Sequence, residues 1–335
     1  MTPDYVLTIV WAAIILFAIF AYVVMDGFDL GIGILFPAFP VGRERDQAMN
    51  SIAPVWDGNE TWLVLGGGGL LAAFPLAYGV VLTALYPPII AMLLALVFRG
   101  VAFEARWRDP AHRPFWDLAF TGGSLVAAFS QGVALGALLQ GIQVADRAYA
   151  GGWLDWLTPF SLLTGASVVV GYATLGASWL VWKTDGVAQE HAYRLAARFG
   201  ALLLLGIVAV SVATLGLEFD YHQRWLTFPA VLVTAQVPLL TAIIAYAFFR
   251  SLRRRREGWP FLLALLLFLL TFIGLAISVF PYVVPRALTI WDAAAPAKAQ
   301  LFMLIGAAVL VPIILAYTGW TYWVFRGKVG HEGYH

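Results

Sequence analysis

The chain has 335 residues, of which 61% are hydrophobic and 12% are charged. A soluble domain is about 45–50% apolar and about 25% charged, so this composition excludes a soluble globular protein and predicts that lipid solvates much of the chain. The net charge of +1 gives no indication of a nucleic-acid partner, and the lack of cysteine excludes disulfides, thiolate metal sites and thiol catalysis.

The chain begins with a long apolar segment, residues 6–36, which we expect to be retained as a first membrane span. No basic stretch precedes it, and it is longer than the apolar core of a cleavable signal peptide. A spanning helix needs roughly 20 mostly apolar residues. Eight further segments meet this requirement: 51–73, 76–103, 116–142, 158–182, 195–217, 227–250, 259–284 and 299–325.

These segments predict an all-α polytopic membrane protein with nine transmembrane helices. We expect two four-helix bundles plus one additional helix, in a single integral-membrane domain over residues 1–335. With the N-terminus outside, sixteen of the twenty Lys and Arg residues fall in the inside loops. Cytoplasmic loops are enriched in these residues, so the pattern predicts a periplasmic N-terminus and a cytoplasmic C-terminus.

Four carboxylates lie inside the predicted spans, where each ionisable group costs about 2.5–3.5 kcal/mol on insertion scales. Asp26 and Asp29 lie late in the first span, and Asp57 and Glu60 lie early in the second. Each pair is spaced i, i+3, which places both side chains on one helix face. Two adjacent antiparallel helices would bring the four acids together as a proton-conducting cluster, with Asp57 the deepest. The alternative is that they are interfacial acids that cap helices or pair with arginines.

Arg99 and a run of glycines each admit two interpretations. Arg99 lies near the inner end of the third predicted span, where it would neutralise one of the acids or extend to the interface as a snorkelling arginine. The glycines at 66–69 remove the side chains from a whole turn. This predicts close helix packing, and a path for a small molecule is the alternative.

All five histidines fall in predicted loops or in the C-terminal tail: His112, His191, His222, His331 and His335. Haem iron usually takes His, Cys, Met or Tyr as its axial ligand. We therefore expect this chain to ligate no haem and no other metal by itself.

Two segments, MDGFDLGIGILFP (25–37) and NSIAPVWDGNETWLVLGGGG (50–69), resemble subunit II of the cytochrome bd-type quinol oxidases. The first of these segments most resembles the sequences of the cyanide-insensitive branch of this family. The resemblance covers essentially the whole chain, and its further matches are FRGVAFEAR (98–106), SQGVALGALLQG (130–141), LTPFSLLTG (157–165), TIWDAAAP (289–296) and VPIILAYTGWTYWVF (311–325).

The resemblance implies a complex of a bacterial inner membrane that oxidises ubiquinol and reduces dioxygen to water. Its subunit I, the expected partner, carries two haem b and one haem d, whereas subunit II ligates no haem and is not catalytic alone. Membrane lipid, quinone and a small single-span accessory subunit are further candidate partners.

The resemblance also implies roles for single residues. Proton uptake from the cytoplasm uses Asp57, and a dioxygen tunnel passes Trp62. Glu60 stands where other members have Gln, and this extra acid would change the proton path or pair with Arg99.

Two other functions fit the residues alone. Buried acids and glycine-broken helices also suit a proton-coupled secondary transporter, and inverted repeats would favour that class, but the sequence shows none. A purely structural assembly subunit is the other alternative.

Overall fold

The computed structural model describes residues 3–217 and 221–329, so His331 and His335 lie outside the described residues. Its helices follow the apolar segments of the sequence. In chain order they are α1 (Pro3–Leu35), α2 (Arg43–Asn50), α3 (Trp56–Ala73), α4 (Pro75–Ala84), α5 (Tyr86–Arg108), α6 (Arg113–Gln140), α7 (Pro159–Lys183), α8 (Gly186–Leu215), α9 (Tyr221–Leu226), α10 (Val231–Thr234), α11 (Gln236–Arg253), α12 (Trp259–Val279) and α13 (Ala297–Val324).

The described residues contain eight helices that are long and apolar enough to cross a membrane. A ninth span is present when α3 and α4, which meet at a bend of 120°, are taken together. The predicted all-α polytopic architecture is therefore confirmed. The strands form two short antiparallel hairpins: β1 (Val144–Ala145) with β2 (Ala148–Tyr149), and β3 (Tyr282–Val284) with β4 (Leu288–Thr289). The predicted span 259–284 is too long at its end, because α12 finishes at Val279 and β3 takes its last three residues.

The predicted third span, 76–103, is wrong in its first part, because the chain breaks at Leu85 between α4 and α5. Proline explains both ends of the short helix α4. Pro75 begins it, and Pro87 and Pro88 occupy the first turn of α5. Proline lacks an amide hydrogen and is favoured in the first turn of a helix, so these prolines favour helix starts at Pro75 and at the beginning of α5.

The helices form the two expected bundles. The first contains α1, α3, α5 and α6, the second contains α7, α8, α11 and α12, and α13 lies outside against α1 and α3. The bundles meet where α7 packs on α1 and α6. A Cβ atom at Gly31 would lie 1.8 Å from the carbonyl oxygen of Tyr172, so only glycine permits this approach of α1 to α7.

The glycines at 66–69 divide between two faces of α3. Gly66 faces Ile19 and Gly69 faces Ile15, so these two allow close packing on α1. Gly67 and Gly68 face away from the chain, with nothing within 4 Å of an added Cβ.

Most cationic side chains lie at the end of the molecule where α1 finishes, which we term the arginine-rich end. It includes Arg45, Arg108 and Arg253. Helix α8 begins at Gly186, so the prediction that His191 lies in a loop is wrong: it lies in the second turn of α8. His222 likewise lies in α9.

Helix α13 is fixed by hydrogen bonds near both of its ends. Near its start, Trp11 Nε1 donates to the backbone oxygen of Gln300 at 3.0 Å. Just after its end, Lys183 Nζ donates to the backbone oxygens of Phe325 at 2.5 Å and Gly327 at 3.2 Å. Within α13, all of whose residues the structure describes, Gln300 alone is buried.

Candidate functional site

A buried arginine joins three of the predicted carboxylates. Nη1 of Arg99 lies 3.0 Å from Asp26 Oδ1 and 2.8 Å from Glu60 Oε1. Its Nη2 lies 4.0 Å from Asp29 Oδ2. We term these four residues the acid–arginine cluster. They come from α1, α3 and α5, and their convergence shows that the two acid-bearing helices are neighbours.

Local helix geometry explains the cluster. The i, i+3 spacing of Asp26 and Asp29 places both on the face of α1 that packs against α3. Arg99 is fully buried, and its guanidinium carbon lies 5.8 Å from the ring centroid of Trp56. It therefore does not extend to the membrane surface as a snorkelling side chain would.

The cluster contains more acids than its cation can neutralise. Asp26, Asp29 and Arg99 are all 0% exposed, and the Glu60 side chain is 31% exposed. If all three acids were ionised, the cluster would carry two uncompensated negative charges. Burial strongly disfavours such an excess, so the cluster should retain protons, shared among coupled groups.

Asp57 lies beside the cluster in the first turn of α3, one turn before Glu60. It is exposed on the described chain, whereas Asp26 and Asp29 are fully buried, so the prediction that Asp57 is the deepest acid is wrong. The reason is its place at a helix start. There the side chain can face outward, and a carboxylate is stabilised by the positive end of the helix dipole. Its charged neighbours are Glu104 and Arg99.

A chain of neutral polar side chains reaches the cluster from the second bundle. The hydroxyl of Tyr172 donates to Gln131 Oε1 at 2.6 Å, and Gln131 Nε2 donates to the Tyr22 hydroxyl at 2.8 Å. Tyr22 lies on α1 four residues before Asp26 and on the same helix face, so the chain ends beside the cluster.

A second, shorter chain reaches the cluster from α13. The hydroxyl of Tyr322 donates to Asn59 Oδ1 at 2.9 Å, and Asn59 Nδ2 donates to Asp29 Oδ2 at 2.7 Å. Sequence reasoning missed these tyrosines and amides. The available signal was an amide inside each of the segments 50–69 and 130–141, within predicted spans where polar side chains need partners.

A second ion-pair cluster, also missed, lies nearer the arginine-rich end. Arg106 Nε lies 2.5 Å from Asp117 Oδ1, and Arg106 Nη2 lies 2.7 Å from Asp46 Oδ1. Arg45 Nη1 completes it, 2.8 Å from Asp117 Oδ2. Its two cations balance its two acids. Its ion pairs tie α2 to α5 and α6.

Trp62 lies on the opposite side of α3 from Asp57. Its side chain is 1% exposed and packs edge-to-face on Phe17 at a centroid distance of 5.6 Å. Its other neighbours include the small residues Ala18 and Ala21 of α1.

The three described histidines lie on different parts of the chain. His112 is exposed beside Asp109, and His222 is exposed in α9. His191 Nδ1 is engaged by Glu44 at 2.6 Å. Among residues 3–217 and 221–329, no group of three or more His, Asp or Glu side chains is arranged to hold a metal ion.

Comparison with known proteins gives independent evidence about the family of this chain. A family model described as cytochrome bd terminal oxidase subunit II matches residues 7–325. The chain is 32% identical over 375 residues to cytochrome bd-I ubiquinol oxidase subunit 2 of Escherichia coli K12, covering 98% of this chain and 97% of the relative. It is 29% identical over 333 residues to cytochrome bd ubiquinol oxidase subunit 2 of Bacillus subtilis, covering 96% of each.

A solved structure shows the same fold. A chain of the bd oxidase from Geobacillus thermodenitrificans superimposes with a TM-score of 0.79 at 19% identity, covering 96% of this chain and 100% of that chain.

Proposed function

The chain belongs to the cytochrome bd terminal oxidase subunit II family, and from this premise we propose that it delivers protons from the cytoplasm to a quinol-oxidising, dioxygen-reducing complex. It is a subunit of such an oxidase and a multi-pass membrane protein. We place it in a bacterial inner membrane, packed on a subunit I that holds the haems and oxidises ubiquinol. The family match removes the reason to consider a proton-coupled transporter.

The observation that carries the proposal is the acid–arginine cluster with its excess of carboxylates. Reduction of dioxygen consumes protons, and a buried group of coupled acids can bind and release them. Asp57 supplies the entry, because it is exposed one helical turn from Glu60, which corresponds to a rise of about 4.5 Å. The proposed route runs from Asp57 to Glu60 and then to Asp26 and Asp29.

The outer face of α3 supports docking on subunit I. Asp57, Thr61 and Gly68 are exposed along one stripe of this helix, together with Val64. A carboxylate facing lipid in a spanning helix is costly, so a protein partner is the favourable neighbour for this stripe, and protons would then reach Asp57 along the interface between the two subunits. Exposed glycines allow the close helix approach that such an interface uses.

Dioxygen access past Trp62 is a further part of the proposal. The ring lies between α1 and α3 among buried apolar residues that include Ala18 and Ala21.

The test of the proton route is Asp57→Asn in the purified two-subunit complex. The amide keeps the shape of the side chain and cannot exchange a proton, so turnover per haem d should fall strongly while haem content is retained. Asp57→Glu should restore part of the rate. Asp146→Asn, in the exposed turn between β1 and β2, serves as the control.

Two other outcomes of the Asp57→Asn experiment would contradict the proposed proton route, and each can be recognised. If Asp57 only fixes the subunit interface, Asp57→Asn should lower haem content and total activity together, with normal turnover per remaining haem d. Normal turnover per haem d with full haem content would exclude an essential relay at Asp57 and direct attention to Glu60.

A further inference from the structure

We propose that Lys183 is a positioning residue for the proton route: by fixing the last turn of α13, it holds Tyr322, and through it Asn59, against Asp29. The inference rests on the proposed function, in which protons pass through the acid–arginine cluster. It goes further by giving a role to a buried lysine outside that cluster, at the end of α7 in the second bundle.

Lys183 is a buried cation held by neutral groups. The residue is 6% exposed, and its ammonium nitrogen lies 5.0 Å from the ring centroid of Trp179 and 5.8 Å from that of Trp182. Its hydrogen bonds go to the backbone oxygens of Phe325 and Gly327. Burying a charge is costly, so these oxygens and indole faces offset the cost and keep the ammonium in one place.

The two oxygens lie where α13 ends. Phe325 caps the last turn of the helix, and Gly327 follows two residues later. The last carbonyl groups of a helix have no partner within it and carry the negative end of the helix dipole, which a cation stabilises. Val329 adds a third bond by donating its backbone N–H to the backbone oxygen of Lys183 at 2.8 Å. The end of α13 is therefore attached to both the side chain and the backbone of Lys183.

Tyr322 lies one turn before this attachment and shares its aromatic support. Its ring packs edge-to-face on Trp179 at a centroid distance of 6.1 Å, and the same indole faces Lys183 Nζ. Trp323 and Val324, which follow Tyr322, are exposed on the described chain. Because the neighbouring side chains of this turn face outward, the attachment at Lys183 sets where the Tyr322 hydroxyl lies.

The Tyr322 hydroxyl orients the Asn59 amide. It donates to Asn59 Oδ1 at 2.9 Å, and Asn59 Nδ2 lies 3.3 Å from the backbone oxygen of Met25. A backbone carbonyl can only accept, so the amide nitrogen must be on that side. The same nitrogen donates to Asp29 Oδ2 at 2.7 Å. A displaced end of α13 would remove the donor at Oδ1 and leave the amide free to turn away from Asp29.

Asp29 depends on this amide for its own orientation. Arg99 Nη2 lies 4.0 Å from Asp29 Oδ2, beyond hydrogen-bond distance, whereas Asn59 Nδ2 lies at 2.7 Å. A proton passes between two groups when they lie within hydrogen-bond reach of each other or of a shared water. An Asp29 side chain that changes its orientation would therefore slow the passage of protons through the cluster, even with all of its acids present.

The test is Lys183→Met in the purified two-subunit complex. Methionine keeps the apolar stem of the side chain and removes its charge and its donors. Turnover per haem d should fall about tenfold, the effect of losing one buried hydrogen bond, while haem content is retained. The solvent deuterium isotope effect on turnover should rise, because proton transfer becomes slower. Lys183→Arg, which keeps a cation and its donors, should restore part of the rate. Lys298→Met, in the exposed first turn of α13, is the matched control.

A mutant cycle shows whether Lys183 acts through Tyr322. Tyr322→Phe removes the hydroxyl and leaves the ring, so it should reproduce the slower turnover and the larger isotope effect. The double variant should then be no slower than the slower single variant. If Lys183→Met does not assemble, a chain that ends at Arg326 takes its place, because it lacks the Gly327 oxygen and the Val329 bond and keeps Lys183.

Three results would overturn the inference. The first is a turnover per haem d in Lys183→Met equal to that of Lys298→Met. The second is a loss of haem content with normal turnover per remaining haem d, which would mean a purely structural role. The third is a double variant in which the two effects multiply. Failure of the proposed relay is a different result, a normal rate in Asp57→Asn, whereas a slow Asp57→Asn beside a normal Lys183→Met refutes this inference alone.

Discussion

Removing the cation of the acid–arginine cluster should strongly destabilise the complex. Arg99→Gln would leave three carboxylates around a site where Arg99, Asp26 and Asp29 are 0% exposed. It would break charge-assisted hydrogen bonds of 3.0 and 2.8 Å. Removing one partner of a buried ion pair costs about 3–5 kcal/mol. The loss corresponds to a reduction of about 150-fold to about 5,000-fold in the ratio of folded to unfolded protein.

The measurement is the yield of the two-subunit complex extracted from membranes, together with its rate of thermal inactivation. Arg108→Gln is the matched control. Its side chain is 83% exposed and lies 3.6 Å from Glu104, so its loss should change stability by less than about 1 kcal/mol. Adding Asp26→Asn to Arg99→Gln should restore part of the yield, because it removes one unpaired charge. If Arg99→Gln were as stable as Arg108→Gln, the ion-pair reasoning would be refuted.

Three further predictions concern topology, haem and packing. Reporter fusions after Arg256 and after Asp155 should report inside and outside respectively, and the reverse result would contradict the orientation. Replacing the three described histidines by alanine should leave the haem bands of the assembled complex unchanged; a band lost for want of its ligand would show that this chain binds haem. Gly31→Ala should destabilise by at least about 1–3 kcal/mol, since its Cβ would lie 1.8 Å from the backbone of Tyr172. Gly306→Ala, with nothing within 4 Å, is the control in thermal denaturation, and equal effects would mean that α1 and α7 are not tightly packed.

The spans and the acids could be predicted from the sequence because both follow from the cost of exposing polar groups to lipid. Long apolar runs must be helices in a membrane, and a carboxylate inside one demands a partner. The break at Leu85 could also have been predicted from the sequence, since Pro87 and Pro88 mark the start of a helix. The predicted span 76–103 ran through these prolines because the residues on both sides of them are mostly apolar.

The partners within the site could not be predicted in the same way. Arg99 pairs with Asp26 across 73 residues of sequence, and such a contact depends on the tertiary arrangement of the helices that carry them. Gln131 and Tyr172 are neutral, so they carry no large insertion cost that would mark them as unusual. The outward direction of Asp57 depends on where α3 begins, and helix ends are the least certain part of any prediction from sequence.

The way α13 is held has a consequence for the order in which the complex is built. Its two sets of bonds come from Trp11 and Lys183, which are synthesised before it, so the chain can position its last helix without help from another protein. The apolar surface between these bonds stays uncovered on the folded chain, including Phe302 and Ile313. A second subunit that arrives later can cover this surface without displacing either set of bonds. Without such a subunit, these exposed apolar side chains of α13 would face lipid.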